Sequence, residues 1–168
     1  MSGVHSQPDG PAFDLVLLLH VACVVAGLAT AVTSVATAKR LRRLAGAGAP
    51  LPDAVVRYFR PGVNWAGRVM YGIPVFGFTL LAMSQGAYSL SRTWVMLGLG
   101  IFVVVVLLAE GTLWPAERRL QVSVADLGDQ PDAVLAPAAL RDAQFMTWSA
   151  TAVLVLLIAG TVVMVAQP

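Results

Sequence analysis

Apolar residues run almost unbroken through four stretches of this chain, and polar residues gather between them. The first stretch, 13–38, reads FDLVLLLHVACVVAGLATAVTSVATA, in which only Asp14 and His20 are charged or strongly polar. At about 1.5 Å per residue, roughly 20 apolar residues cross a hydrocarbon core about 30 Å thick. The other stretches, about 63–87, 93–113 and 143–166, meet the same length. The pattern predicts an all-α polytopic membrane protein, a single domain over 1–168 built of four antiparallel transmembrane helices.

The breaks are equally legible. GAGAP at 46–50 ends the first helix. Pro52 and Asp53 can open a short helix over AVVRYFR, lying on the headgroups with Val55, Val56, Tyr58 and Phe59 in the interface, or the stretch is a plain basic loop. Pro74 predicts a kink in span two. The turn SLSR at 89–92 is so short that spans two and three should be direct neighbours. Trp65, Trp114 and Trp148 should anchor their spans at interfaces, Glu117, Arg118 and Arg119 should sit at the interface that ends span three, and its helix should continue to about Val122. A polar linker at 123–137 with Asp126, Asp129 and Asp132 then leads to span four. The Pro/Gly-rich residues 1–12, His5 among them, read as a short flexible tail.

Charge orients these spans. Lys39, Arg40, Arg42 and Arg43 follow span one at once, and no Lys or Arg precedes them. Of the eleven basic residues only Arg92 falls on the opposite side. By the positive-inside rule both termini lie outside, and span one is an uncleaved signal anchor, too long and wrongly flanked for a signal peptide.

Composition agrees. The chain is 58% apolar and 12% charged with a mean hydropathy of +0.77, against about 25% charged residues in soluble domains. The net charge of +2 is explained by topology, and no basic face with aromatic platforms accompanies it, so nucleic acid is not a partner. The single cysteine, Cys23, permits no intrachain disulfide.

Three segments resemble a known family: LLLH at 17–20, YFRPGVNWAGRVMYGIPVFG at 58–77, and WPAERRLQ at 114–121. Together they are similar to a family of bacterial four-helix integral membrane proteins of unknown function, which is distantly similar to the CopD-like membrane domain linked to copper handling. The resemblance implies a bacterial inner-membrane protein and supplies no established activity. Beyond His20 it carries no copper-site residue onto this chain.

Candidate chemistry rests on ionisable groups inside the spans, which are expensive in hydrocarbon. Arg68 and Glu110 both lie near the basic end of adjacent helices and are expected to form an intramembrane ion pair. Span one turns His20, Cys23, Gly27, Ala31, Ser34 and Ala38 onto one face, nearly all small, as close helix packing in lipid requires. His20 is expected about 10 Å below the outer surface, at the level of Met83, Ser84 and Gln85. Its plain role there is a hydrogen bond to Gln85 or Ser84. Its sharper role is a Cu(I) site of His20 and Cys23 with Met83, Met96 or Met164, because imidazole, thiol and thioether suit that ion. Haem is the weaker expectation, because only His20 is an intramembrane histidine and the second axial ligand would have to be a Met. No nucleophile–base pair or phosphate-binding loop is present. The leading expectation is a non-enzymatic structural or accessory component without a cofactor, whose partners are the bilayer and other membrane proteins or copies of itself. Copper binding is the alternative.

Overall fold

A computed structural model describes residues 10–84, 88–128 and 135–166. These are helical, with no strand among the described residues. Four helices are long and apolar enough to cross a membrane: Pro11–Gly46, Trp65–Met83, Thr93–Leu127 and Pro137–Ala166. The fold is therefore an all-α polytopic bundle. The tail with His5, and Gln85, lie outside the described residues, as does the linker at 129–134.

Span one is one unbroken helix that carries the Lys39–Arg43 cluster on its last turns and stops at Gly46. Its predicted small-residue face is the face that packs. Cys23, Gly27, Ala31, Ser34, Ala38 and Leu41 are buried, while Leu15, Leu18, Val25 and Val32 on the other sides stay exposed to lipid. A side chain on Gly27 would meet Leu157 of span four and Met70 of span two at 3.6 Å, so both neighbours approach the backbone there.

Span two changes winding on the way through. Trp65–Arg68 is α-helical, Val69–Tyr71 is a 3-10 turn, and Gly72–Met83 is α-helical again. Pro74 explains the position. It has no N–H for the carbonyl of Met70, so the preceding turn tightens instead of continuing the α ladder.

Span three has the opposite irregularity. Thr93–Leu108 is α-helical, Ala109–Leu113 is a π-helical turn, and Trp114–Gly128 resumes the α-helix. Pro115 follows the π turn and cannot donate to Gly111, so the widened turn accommodates the missing bond. The helix runs six residues beyond the expected end at Val122, because Leu120 and Val124 are buried against the bundle.

Span one packs along spans two and four, and span four packs along span three. Spans two and three do not pack along each other's α-helical far halves, although the turn before Thr93 links them. This departs from the expectation of direct neighbours. A short turn forces proximity only at the linked ends, and the neighbouring helices decide the rest.

The short helix Asp53–Tyr58 also departs from expectation. It does not lie on the headgroups. Val55 and Phe59 are fully buried in the core at the basic end, while Asp53, Ala54, Val56, Arg57 and Arg60 are exposed. Burying an aromatic ring and a valine outweighs leaving them in the interface.

Candidate functional site: a polar lock and an open cleft

At the basic end, spans two and three are joined by side chains. Arg68 Nη1 donates to Glu110 Oε1 at 2.9 Å, and the Tyr71 hydroxyl donates to the same oxygen. The Arg68 guanidinium sits over the Trp114 ring, 3.5 Å from its centroid, a cation–π contact. Tyr71 also meets Trp114, with ring centroids 5.9 Å apart. The π turn brings Glu110 and Trp114 to Arg68 from the same side. The expected Arg68–Glu110 contact is present, yet it lies on the flank of the bundle and not in its interior: the side chains are 22% and 47% exposed.

One turn further, Asn64 donates from Nδ2 to Glu117 Oε1 at 2.9 Å and accepts at Oδ1 from the Gly67 N–H at 3.3 Å, capping the start of span two. Gln121 donates to the carbonyl of Gly62 at 3.2 Å. Gly62 has φ +146°, a conformation that favours glycine and sets the turn into span two. Glu117 is only 4% exposed. The sequence placed it at an interface with Arg118 and Arg119, but the helix turns Glu117 inward and the two arginines outward. Trp114, expected as an interfacial anchor, is likewise buried, whereas Trp65 and Trp148 stand exposed. The 58–77 and 114–121 segments thus interlock residue by residue.

Beneath this lock, the Ser34 hydroxyl bonds the Tyr58 hydroxyl at 2.8 Å and donates to the Thr30 carbonyl at 2.9 Å. Tyr58 is therefore the donor to Ser34. Burial above all, and then the Glu117 carboxylate, hold the Tyr58 hydroxyl well above its ordinary pKa, with the Ser34 bond offsetting part.

Toward the other end the same two spans separate, and all four spans line an apolar cleft of about 560 Å³. Its walls include Phe13, Leu17, His20, Phe78, Leu99 and Phe102. Val25 and Phe78, wall residues in the middle of spans one and two, are 58% and 47% exposed, so the cleft opens sideways. Among the described residues the walls carry one imidazole and no carboxylate, thiol or amine.

His20 does not reach Ser84. Its Nδ1 lies 2.9 Å from the Ile73 carbonyl, which can only accept, so Nδ1 carries the proton. Ser84 instead bonds the carbonyls of Leu81 and Tyr88. The helix of span one begins at Pro11, about 14 Å from His20 along the axis by the helical rise, and His20 stands level with Ile73. In the neutral ring Nε2 is left as an acceptor with no partner among the described residues.

Of the five proposed copper donors, only His20 and Met164 line the cleft. Cys23 presses against Gly72, Met96 is 55% exposed, and Met83 lies off the walls. Among the described residues no three His, Cys, Asp or Glu side chains gather where they could hold a metal. Two soft donors on one wall do not make up the set that the sequence suggested.

Of the lock residues, Asn64 and Tyr71 were not singled out by sequence reasoning, and Trp114 and Glu117 were read as interfacial and not as parts of a lock. Their signal was a phase: Trp114, Glu117 and Gln121 recur at helical spacing on the face that also holds Leu113 and Leu120. No family model, curated protein or solved structure matches this chain.

Proposed function

We propose that this protein is a non-enzymatic accessory component of a membrane assembly in a bacterial inner membrane, seating an apolar segment of a partner membrane protein in its cleft. The observation that carries the reading is the laterally open cleft between spans that are locked together at one end only. Helices in lipid associate by packing, and an unfilled apolar recess forfeits that packing until something occupies it. The walls supply surface without a nucleophile–base pair, which supports a holding role over a chemical one.

The test is site-specific photocrosslinking in native membranes. A benzophenone side chain at Leu17, Phe78 or Leu99 should give one discrete protein adduct. The same group at lipid-facing Leu107 or Val155, exposed but off the cleft, should not. Lipid adducts alone from the cleft positions would overturn the reading.

A second reading, an outward-facing Cu(I) site of the CopD type, draws on the free Nε2 of His20 and the thioether of Met164 sharing the cleft. It needs donors beyond those two, and metal analysis of the purified protein tests it.

A further inference from the structure

At the basic end, a second cleft of about 460 Å³ lies between the last turns of span one and the first turns of span four. Lys39, Arg42 and Arg43 line one wall, and Arg141 and Gln144 line the other. We propose that this cleft binds a phosphate-bearing anion, the headgroup of an anionic membrane phospholipid.

Topology alone accounts for basic residues at this end of the bundle, but not for their arrangement. Lys39, Arg42 and Arg43 stand at i, i+3 and i+4 and so share one helix face, where like charges repel. Arg141 adds a fourth cation from another helix. Among the described residues none of the four has a carboxylate within 4.0 Å. Asp142, next to Arg141, is turned away and bonds Arg119 at 2.8 Å. Among the described residues the walls of the cleft contain no acidic side chain. Four cations on two facing helices, without a counter-charge among the described residues, form a site for an external anion. Guanidinium groups match phosphate oxygens in paired hydrogen bonds.

The apolar continuation of each wall identifies the source of the phosphate. On span four, Arg141, Gln144, Phe145 and Trp148 follow at i, i+3, i+4 and i+7, one stripe that passes from charge to exposed aromatic rings. On span one, Lys39 lies one turn from Val35 and two from exposed Val32 on the same face. A headgroup held at the basic level has apolar surface directly beneath it for its chains. A soluble phosphate would use the first half of each stripe and leave the second idle. Basic pockets between transmembrane helices on the cytoplasmic side bind anionic headgroups by this logic.

The test is native mass spectrometry of the full chain released from nanodiscs of mixed phosphatidylglycerol and phosphatidylcholine. Wild type should retain phosphatidylglycerol in preference to phosphatidylcholine. Arg141→Gln should lower that retention about fivefold, the worth of one cation beside an anionic surface, and Arg141→Lys should keep most of it. Arg40→Gln, on the same helix as the cluster but off the cleft, should change it less than twofold. Equal losses from Arg40→Gln and Arg141→Gln would mean diffuse attraction and would overturn the site, as would equal retention of the two lipids by wild type. A matched thermal unfolding curve for Arg141→Gln excludes misfolding, and Arg42→Gln serves in its place if that variant is unstable. Adding millimolar inorganic phosphate separates the sources. Retained lipid assigns the site to the headgroup. Loss of lipid with phosphate bound in its place keeps the anion site and overturns its assignment to lipid.

Discussion

Arg68 and Glu110 are 42 residues apart in the chain, and their side chains meet at 2.9 Å on the flank of the bundle. The pair ties span two to span three where the helices themselves do not pack closely. Because both groups are partly exposed, the charge–charge contact should be worth at most about 1 kcal/mol. The larger share of Arg68's contribution should come from its seat over Trp114, worth about 0.5–2 kcal/mol. Thermal unfolding in detergent should rank Arg68→Lys, which keeps the charge and loses the planar stack, closer to Arg68→Ala than to wild type. A Lys variant as stable as wild type would assign the role to charge alone.

Glu117 sets a steeper condition. Its buried carboxylate depends on the Asn64 amide, which also caps span two. Asn64→Ala should cost about 1–3 kcal/mol by leaving Glu117 short of a partner. Combining it with Glu117→Leu, which removes the stranded group, should recover part of the loss. Strict additivity of the two losses in unfolding measurements would contradict the contact.

Tyr58 makes stability depend on alkaline pH. Its hydroxyl is held above its ordinary value of about 10 in the folded protein and returns to that value on unfolding. The unfolded chain therefore releases this proton first. The stabilisation is fully present below pH ~10 and is lost as pH rises beyond that point toward the folded value. Wild type should lose stability above pH 10 more steeply than Tyr58→Phe, in melting curves taken across that range. Parallel curves would show that Tyr58 ionises freely. At neutral pH the Phe variant should cost about 1 kcal/mol, the worth of the Ser34 bond.

Gly72 and Cys23 are coupled by contact. A methyl group on Gly72 would overlap Cys23 Sγ, with Cys23 Cβ at 3.4 Å. Gly72→Ala should destabilise by about 1–3 kcal/mol through overpacking. Cys23→Ala removes the sulfur, so the double variant should be more stable than the sum of the single effects allows. Independent effects would mean that spans one and two are looser here than described.

Metal content provides the remaining test. With two of five soft donors on the cleft, Cu(I) offered under reducing conditions should bind at well below one ion per chain. One tightly held copper, lost in His20→Ala, would reverse the order of the two readings.

Much of this architecture was legible in the chain. Span lengths follow from uninterrupted apolar runs, and the packing face of span one follows from Cys23, Gly27, Ala31, Ser34 and Ala38 repeating at helical spacing. The Arg68–Glu110 contact was accessible because both charges sit at one depth on antiparallel helices. What escaped depends on phase and tilt. His20 meets Ile73 and not Ser84, a pairing set by how spans one and two slide along each other. Glu117 points inward because a π turn before Pro115 resets the face that follows. The separation of spans two and three depends on how each packs against spans one and four, which no local pattern records.

That separation bears on kinetics. The cleft is bounded at one end by the tight turn before Thr93 and at the other by the Arg68–Glu110 tie, so the guest proposed above would arrive from the side, within the plane of the lipid. Encounter is then a two-dimensional process governed by lateral diffusion. Occupancy will follow the number of guest molecules per unit area of membrane, and diluting the vesicles in buffer will leave it unchanged.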